Sequence, residues 1–167
     1  MYNPGVMPTV FLHPDLYIEK YVIHLLISQD IKWRSITNNL AERLLGYEPE
    51  ALILSPEKQN VIVNLGTKIE FRPRRNIPMI CISERDDNIF LKYFLAFGGE
   101  AIFLKGDEII LAVGSNSHSV GSPENYRLNG VFDHSIKGIL LSIAIGYALD
   151  IPLNIVLQEE DYSLIYQ

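Results

Sequence analysis

The chain has 167 residues, of which 48% are hydrophobic and 20% are charged, and its formal net charge is −6. These values are typical of a globular domain, so they exclude intrinsic disorder, a collagen-like repeat and a disulfide scaffold. The acidic balance also excludes a protein that binds polyanions over its whole surface, although it leaves room for a local basic patch.

The cysteine usage and the apolar segments indicate the compartment. Cys81 is the only cysteine and cannot form an internal disulfide, which is typical of a reducing compartment, and we expect it to be a small buried apolar residue. Residues 1–10 lack the basic and apolar regions of a signal peptide. The longest apolar stretch, 138–149, is shorter than the roughly 20 residues of a membrane span. We therefore predict a cytoplasmic protein with no part in the membrane.

Residues 1–75 predict a winged-helix-like helical unit with a β-hairpin. Asp15 is placed to cap a helix over 16–29. A second helix, begun near Ser35 or Thr37, is indicated by apolar residues at helical spacing, namely Trp33, Ile36, Leu40 and Leu44. Short strands are predicted at 52–54, 60–64 and 68–71, and the last two are joined by a tight turn into a hairpin. Helices followed by a hairpin is the order of a winged helix.

Residues 76–167 predict a second unit of α/β type, after a charged linker that contains Pro73. Its strands alternate with helices, which favours a sheet with parallel strands. We predict strands at 77–83, 101–104, 109–113, 131–132 and 153–157. We predict helices from Asp86 or Asp87 to Leu95 and over 135–149, and a long loop over 114–130.

Two acidic residues follow predicted strands of this unit, Glu84 after 77–83 and Asp133 after 131–132. Ligands of open α/β sheets bind beyond the carboxyl ends of the strands. If the two strands are neighbours, both carboxylates converge on one edge and would hold Mg²⁺, which takes one or two carboxylates with water and phosphate oxygens. Such an ion orients and polarises a phosphodiester. The simpler interpretation is that Asp133 only caps the helix that follows it.

The residues around these two carboxylates resemble a Toprim domain. The stretch ICISERDDNIF, 80–90, looks like the first strand and acidic turn of that domain. The stretch VFDHSIKGI, 131–139, is similar to its D-x-D-x-x-G element, with Asp133 as the first Asp and Ser135 in place of the second. Residues 41–64 resemble the segment that leads into the Toprim domain of type IIB topoisomerase A subunits. The resemblance implies a Rossmann-like sheet with helices, preceded by a winged helix.

The same resemblance implies roles for individual residues. Glu84, Asp133 and Ser135 stand at the Mg²⁺ positions, and Tyr17 or Tyr21 stands where the family has its nucleophilic tyrosine. Ser135 lacks a carboxylate, and the arginine beside the family's tyrosine is missing, so the implied protein is a reduced or inactive relative. By residue type alone, the two tyrosines also fit a helix packing face.

The predicted β-hairpin would be the wing of a winged helix, and basic residues on and after it favour DNA as a partner. They are Lys68, Arg72, Arg74 and Arg75. The leading hypothesis is therefore a DNA-associated, Toprim-type protein that forms a homo-oligomer, and whether it is an enzyme is left open. The second hypothesis is a non-enzymatic module that binds DNA or protein and dimerises through its α/β half. The third is a small-molecule α/β enzyme in which the loop 114–130 closes over the ligand.

Overall fold

A computed structural model describes residues 8–13, 22, 25–27, 29–36, 50–54, 59–66, 78–126 and 136–156. In these residues the chain forms an eight-stranded mixed sheet with the strand order β2-β1-β3-β4-β5-β6-β7-β8. The strands are β1 Thr9–Leu12, β2 Lys32–Ser35, β3 Ala51–Leu54, β4 Gln59–Asn64, β5 Met79–Ser83, β6 Glu100–Lys105, β7 Glu108–Val113 and β8 Asn116–Ser119.

Three α-helices are described beside the sheet: α1 Ile89–Ala96, α2 Ile136–Ala148 and α3 Leu153–Val156. A short 3₁₀ helix, Pro123–Tyr126, follows β8. Across the described residues, no helix combines the length and apolar character that crossing a membrane requires. The mixed α/β class predicted from the sequence is confirmed.

The strand directions place several strand ends at one edge of the sheet. β4, β5 and β6 run parallel to each other. β1 is antiparallel to β3, which is antiparallel to β4, so β1 and its parallel neighbour β2 run in the same direction as β4. The carboxyl ends of these five strands therefore share one edge, which we call the carboxyl edge. The opposite edge, where the same strands begin, is the amino edge.

The core lies on both faces of the sheet. On one face α2 packs against alternate strand residues such as Ile62, Ile80 and Ile82. On the other face Leu91 of α1 packs with the residues between them, including Cys81. Because β5 is covered on both faces, its sequence is a continuous apolar run and does not alternate between apolar and polar residues. Each fully buried isoleucine of this kind stabilises the fold by roughly 1.5–3 kcal/mol.

The second predicted helix is wrong at Trp33 and Ser35, and its residues after Ile36 lie outside the described residues. Lys32–Ser35 is the strand β2, which pairs in parallel with β1, so Trp33 lies on a strand and not on a helix. Its exposed and half-buried residues alternate, because Trp33 packs on the core while Lys32 and Arg34 face outward. Charged side chains on an edge strand also discourage pairing with other chains. The first helix is confirmed at Val22 and Leu25–Ile27, which are helical.

The predicted hairpin between 60–64 and 68–71 is wrong for β4. Ile62 pairs with Ala51 of β3 on one side and with Ile80 of β5 on the other. With both of its sides occupied, β4 is a central strand and its antiparallel partner is the preceding strand β3. The residues 68–71 lie outside the described residues. The winged helix and the division at residue 75 stay predictions, and strands from both predicted units share one sheet.

Two predictions near the end of the chain also fail. The predicted loop 114–130 contains the edge strand β8, which pairs with β7 so that His118 lies opposite Leu111. The predicted last strand at 153–157 is instead the helix α3 over Leu153–Val156. Pro152 favours the first turn of a helix, and its carbonyl accepts a hydrogen bond of 3.2 Å from the Val156 amide. The helix predicted at 135–149 is confirmed as α2.

Candidate functional site

The ends of β4 and β5 form the centre of the carboxyl edge. Glu84 directly follows β5 and is exposed, as the sequence predicted for a residue beyond a strand end. Within the described part of the chain, its side chain has no hydrogen bond or ion pair. A free carboxylate at the carboxyl end of a parallel strand stands where α/β sheets bind their ligands.

Hydrogen bonds shape the loop that carries Glu84. The buried Ser83 hydroxyl donates to the carbonyl of Arg85 over 2.7 Å and accepts from the Arg85 amide over 3.2 Å. These two bonds close a tight turn around Glu84, so its backbone is positioned by a residue of the core. The position of the Glu84 carboxylate is therefore coupled to the end of β5.

The remaining charges of the loop are paired with each other. The guanidinium of Arg85 donates two hydrogen bonds to the Asp87 carboxylate, of 2.9 Å from Nε and 2.6 Å from Nη2. This hydrogen-bonded contact lowers the pKa of Asp87 and raises the pKa of Arg85. Because the charges of Arg85 and Asp87 cancel, the net negative charge of the loop comes from the carboxylates of Glu84 and Asp86.

Asn88 joins this loop to α1 and to β4. Its Oδ1 accepts hydrogen bonds from the amides of Phe90, at 2.9 Å, and Leu91, at 3.3 Å, so it is the N-cap of α1. Its Nδ2 donates to the Leu65 carbonyl over 3.1 Å. The predicted caps Asp86 and Asp87 are wrong, because Asn88 both caps the helix and reaches the neighbouring strand end. The side chain of Asn88 therefore links the loop, the start of α1 and the end of β4.

The end of β4 is held in the same way. The Asn64 side chain accepts a hydrogen bond of 2.9 Å from the amide of Gly66, which forms a local turn. The amide of Leu65 donates to the carbonyl of Ile82 over 3.0 Å. The backbones of β4 and β5 therefore stay paired up to the point where the loops begin.

The first turn of α2 also lies at the carboxyl edge. Lys137 Nζ lies 3.0 Å from Oε1 of Glu50, the residue before β3, and the two side chains are 29% and 10% exposed. Oε2 of Glu50 is buried and has no hydrogen-bond partner among the described residues. Asp133 precedes α2 by three positions in the sequence and lies outside the described residues.

The ion pair between Glu50 and Lys137 was not predicted from the sequence. Both belong to segments that carry the Toprim resemblance, 41–64 and 131–139, but neither matches a motif position. The two residues are far apart in the chain, so no local sequence pattern predicts that they pair. A lysine one position inside an otherwise apolar helix was the signal available in the sequence.

Most of the predicted site residues lie outside the described residues. These are Tyr17, Tyr21, Lys68, Arg72, Arg74, Arg75, Asp133 and Ser135. Glu84 is the predicted metal ligand that the structure places, and its approach to Asp133 stays a prediction.

Among the described residues no group of three or more His, Cys, Asp or Glu side chains is arranged to hold a metal ion. Mg²⁺ usually keeps several waters and takes one or two carboxylates together with phosphate oxygens. A site of that kind in this loop would use the exposed carboxylates of Glu84 and Asp86.

Comparisons with known proteins give no assignment: no protein-family model matches the chain, and no curated protein matches it either. The Toprim resemblance therefore rests on the motifs described above.

Proposed function

We propose that this protein binds a phosphate-containing ligand through Mg²⁺ at the carboxyl edge, and that this ligand is DNA, as the Toprim resemblance implies. The observation that supports the proposal is the exposed carboxylate of Glu84 at the end of β5, on the same edge as the first turn of α2. A second acidic residue, Asp133, precedes that turn in the sequence.

The charge of the loop explains why a metal ion is part of the proposal. With Arg85 paired to Asp87, the carboxylates of Glu84 and Asp86 give the loop a net negative charge. A phosphate group approaching these residues is repelled unless a divalent cation lies between them. In our proposal Glu84 would hold Mg²⁺ and Asp86 would hold its water, and the ion would supply the positive charge that a phosphate group needs there.

The proposed activity is binding without strand cleavage. Ser135 offers no carboxylate at the position of the family's second Asp, and the arginine expected beside Tyr17 or Tyr21 is missing. We therefore propose that the chain can bind a phosphodiester but cannot cleave it, because one metal carboxylate and the arginine that would assist the tyrosine are missing. The basic residues predicted near the wing, 68–75, would contact the DNA backbone.

The experiment is a metal-dependence series on supercoiled plasmid and on a labelled DNA duplex at low salt. We expect a retarded plasmid band and a rise in duplex anisotropy with Mg²⁺, neither of them with EDTA, and no nicking. Glu84→Gln should weaken binding at least tenfold. Asp30→Asn is the matched control, because Asp30 is an exposed carboxylate before β2 at the amino edge. Binding that is equally strong in EDTA or in Glu84→Gln would contradict the metal site.

The same assay distinguishes DNA from a small phosphorylated ligand at the carboxyl edge. If a nucleoside triphosphate binds with Mg²⁺ in a Glu84-dependent manner while the duplex does not bind at all, the ligand is a small phosphorylated molecule. If neither binds, the carboxyl edge is not a phosphate site and the non-enzymatic protein-binding hypothesis remains.

A further inference from the structure

One face of α1 is apolar and exposed. Ile89 is 58% exposed, Phe90 47%, Tyr93 61% and Phe97 89%. At 100° per residue these four positions fall within one third of the helix circumference, so they form a single stripe. The opposite side of the helix packs on the sheet through the buried Leu91. Both sides of α1 are therefore apolar, which is unusual for a helix at a protein surface.

The stripe does not extend onto the sheet. The Gly114 amide donates a hydrogen bond of 2.9 Å to the Gly99 carbonyl, which brings the end of β7 beside the end of α1. Ile110 and Ala112 of β7 face α1 whereas Ile109 and Leu111 face α2, so the exposed Val113 lies on the side of the sheet away from α1. We call the surface formed by Ile89, Phe90, Tyr93 and Phe97 the aromatic face. Lys92 is the only charged residue of α1.

The size of the aromatic face is close to what an interface needs. An aromatic side chain buries about 150–250 Å², so the exposed parts of the three rings together with Ile89 amount to roughly 500 Å². Isolated apolar patches on monomers rarely exceed a few hundred Å². If two such faces meet, about 1,000 Å² is buried in total, which reaches the lower limit of a specific interface.

We infer that the aromatic face binds the same face of a second copy of this chain, to form a two-fold symmetric dimer. A two-fold axis through the middle of the stripe, near Tyr93, makes the two helices antiparallel and places Ile89 of one copy near Phe97 of its partner. This orientation separates the two acidic loops 84–87, whereas a parallel orientation would bring them together. The macrodipoles of two antiparallel helices also attract each other.

The charges around the aromatic face argue against an anionic partner such as a membrane surface. Glu84, Asp86 and the Asp87–Arg85 pair precede α1 and give that end of the face a net negative charge. An anionic membrane surface is repelled there, and a nucleic acid is repelled unless a divalent cation lies between the two. A second copy avoids the repulsion by its antiparallel orientation, and it needs no feature beyond the stripe itself.

The test is the mass of the protein in solution over a range of concentrations, by analytical ultracentrifugation. We expect the wild type to approach twice the chain mass of 19.0 kDa at high concentration. Phe97→Lys and Tyr93→Lys should weaken the dimer at least tenfold. Ile27→Lys is the matched control, since Ile27 is 52% exposed but is not part of the aromatic face. Thermal unfolding of each variant separates loss of the dimer from loss of the fold.

Two further readouts test the position of the two-fold axis and the driving force. Cys81 is buried, so Tyr93→Cys introduces the one accessible thiol of the described residues and should form a disulfide-linked dimer on mild oxidation. Added salt should leave the dimer equally strong or make it stronger, because it screens the repulsion between two acidic chains. A wild type that stays at 19.0 kDa at about 100 μM, or a dimer equally strong in Phe97→Lys, would overturn the inference.

Discussion

Lys137 in the first turn of α2 forms an ion pair of 3.0 Å with Glu50 at the start of β3. The pair joins the longest described helix to the carboxyl edge, and the Glu50 carboxylate is largely removed from water. A buried charge is tolerated only when it is paired, and one oxygen of Glu50 has no described partner. The remaining oxygen therefore depends on the contact with Lys137.

Removing the lysine should be costly for this reason. We expect Lys137→Met to lower the free energy of unfolding by about 3 kcal/mol, because it leaves an uncompensated carboxylate in the interior. Glu50→Gln combined with Lys137→Met should recover a large part of the loss. Urea denaturation of the wild type and the two variants measures both effects. If Lys137→Met alone unfolds like the wild type, the pair has no structural importance.

The cap of α1 distinguishes the observed structure from the sequence prediction. We expect Asn88→Ala to lower the stability by about 1–2 kcal/mol, because it removes the N-cap bonds and the bond to Leu65. Asp86→Ala, the matched control, should leave the stability unchanged, since Asp86 is exposed and does not cap the helix. If chemical denaturation shows instead that Asp86→Ala lowers the stability and Asn88→Ala does not, Asp86 is the cap, as predicted from the sequence.

Gly146 of α2 lies where the chain of α3 comes close. A Cβ added there would approach Cγ2 of Val156 to 2.5 Å, and Val156 is a stiff, buried side chain. Gly146→Ala gains about 1 kcal/mol of helix propensity but should lose about 1–3 kcal/mol by overpacking, so we expect a net loss.

The same substitution should change sign when its neighbour is shortened. In a Val156→Ala background the contact disappears and Gly146→Ala is expected to stabilise the protein. A double-mutant cycle from thermal unfolding measures this coupling. Additive effects of the two substitutions would show that α2 and α3 do not meet at these residues.

The buried thiol of Cys81 predicts a pH dependence. Burial raises the pKa of Cys81 far above its ordinary value, so the folded protein keeps this proton while the unfolded chain releases it above about pH 8.5. A folded-state pKa that is raised gives stability that is present at low pH and is lost as the pH rises.

We therefore expect the wild type to lose about 2 kcal/mol between pH 8 and pH 10 through this group. The reference is Cys81→Ala, which lacks the thiol and should show a smaller decrease over the same interval. Denaturation curves of both proteins at several pH values provide the comparison. Parallel pH profiles would mean that Cys81 is accessible to water in the folded state.

The elements that could be predicted are those whose signal is local. The run MICIS predicts β5 because a strand covered on both faces needs apolar residues at every position, and the apolar helix over 135–149 was predicted for a similar reason. The position of Glu84 after β5 followed directly. The cap at Asn88 could not be predicted, because Asp86 and Asp87 are equally good caps in the sequence and only the carbonyl of Leu65 distinguishes Asn88 from them.

Signals between neighbouring residues were enough to predict the class of the fold, the strand that ends at Glu84 and the apolar helix α2. Packing between distant segments makes Lys32–Ser35 a strand, places β4 between β3 and β5, and makes Leu153–Val156 helical. It also brings Glu50 to Lys137. Each of these features depends on contacts between residues distant in the chain, and short segments with weak preferences adopt the structure that buries them best.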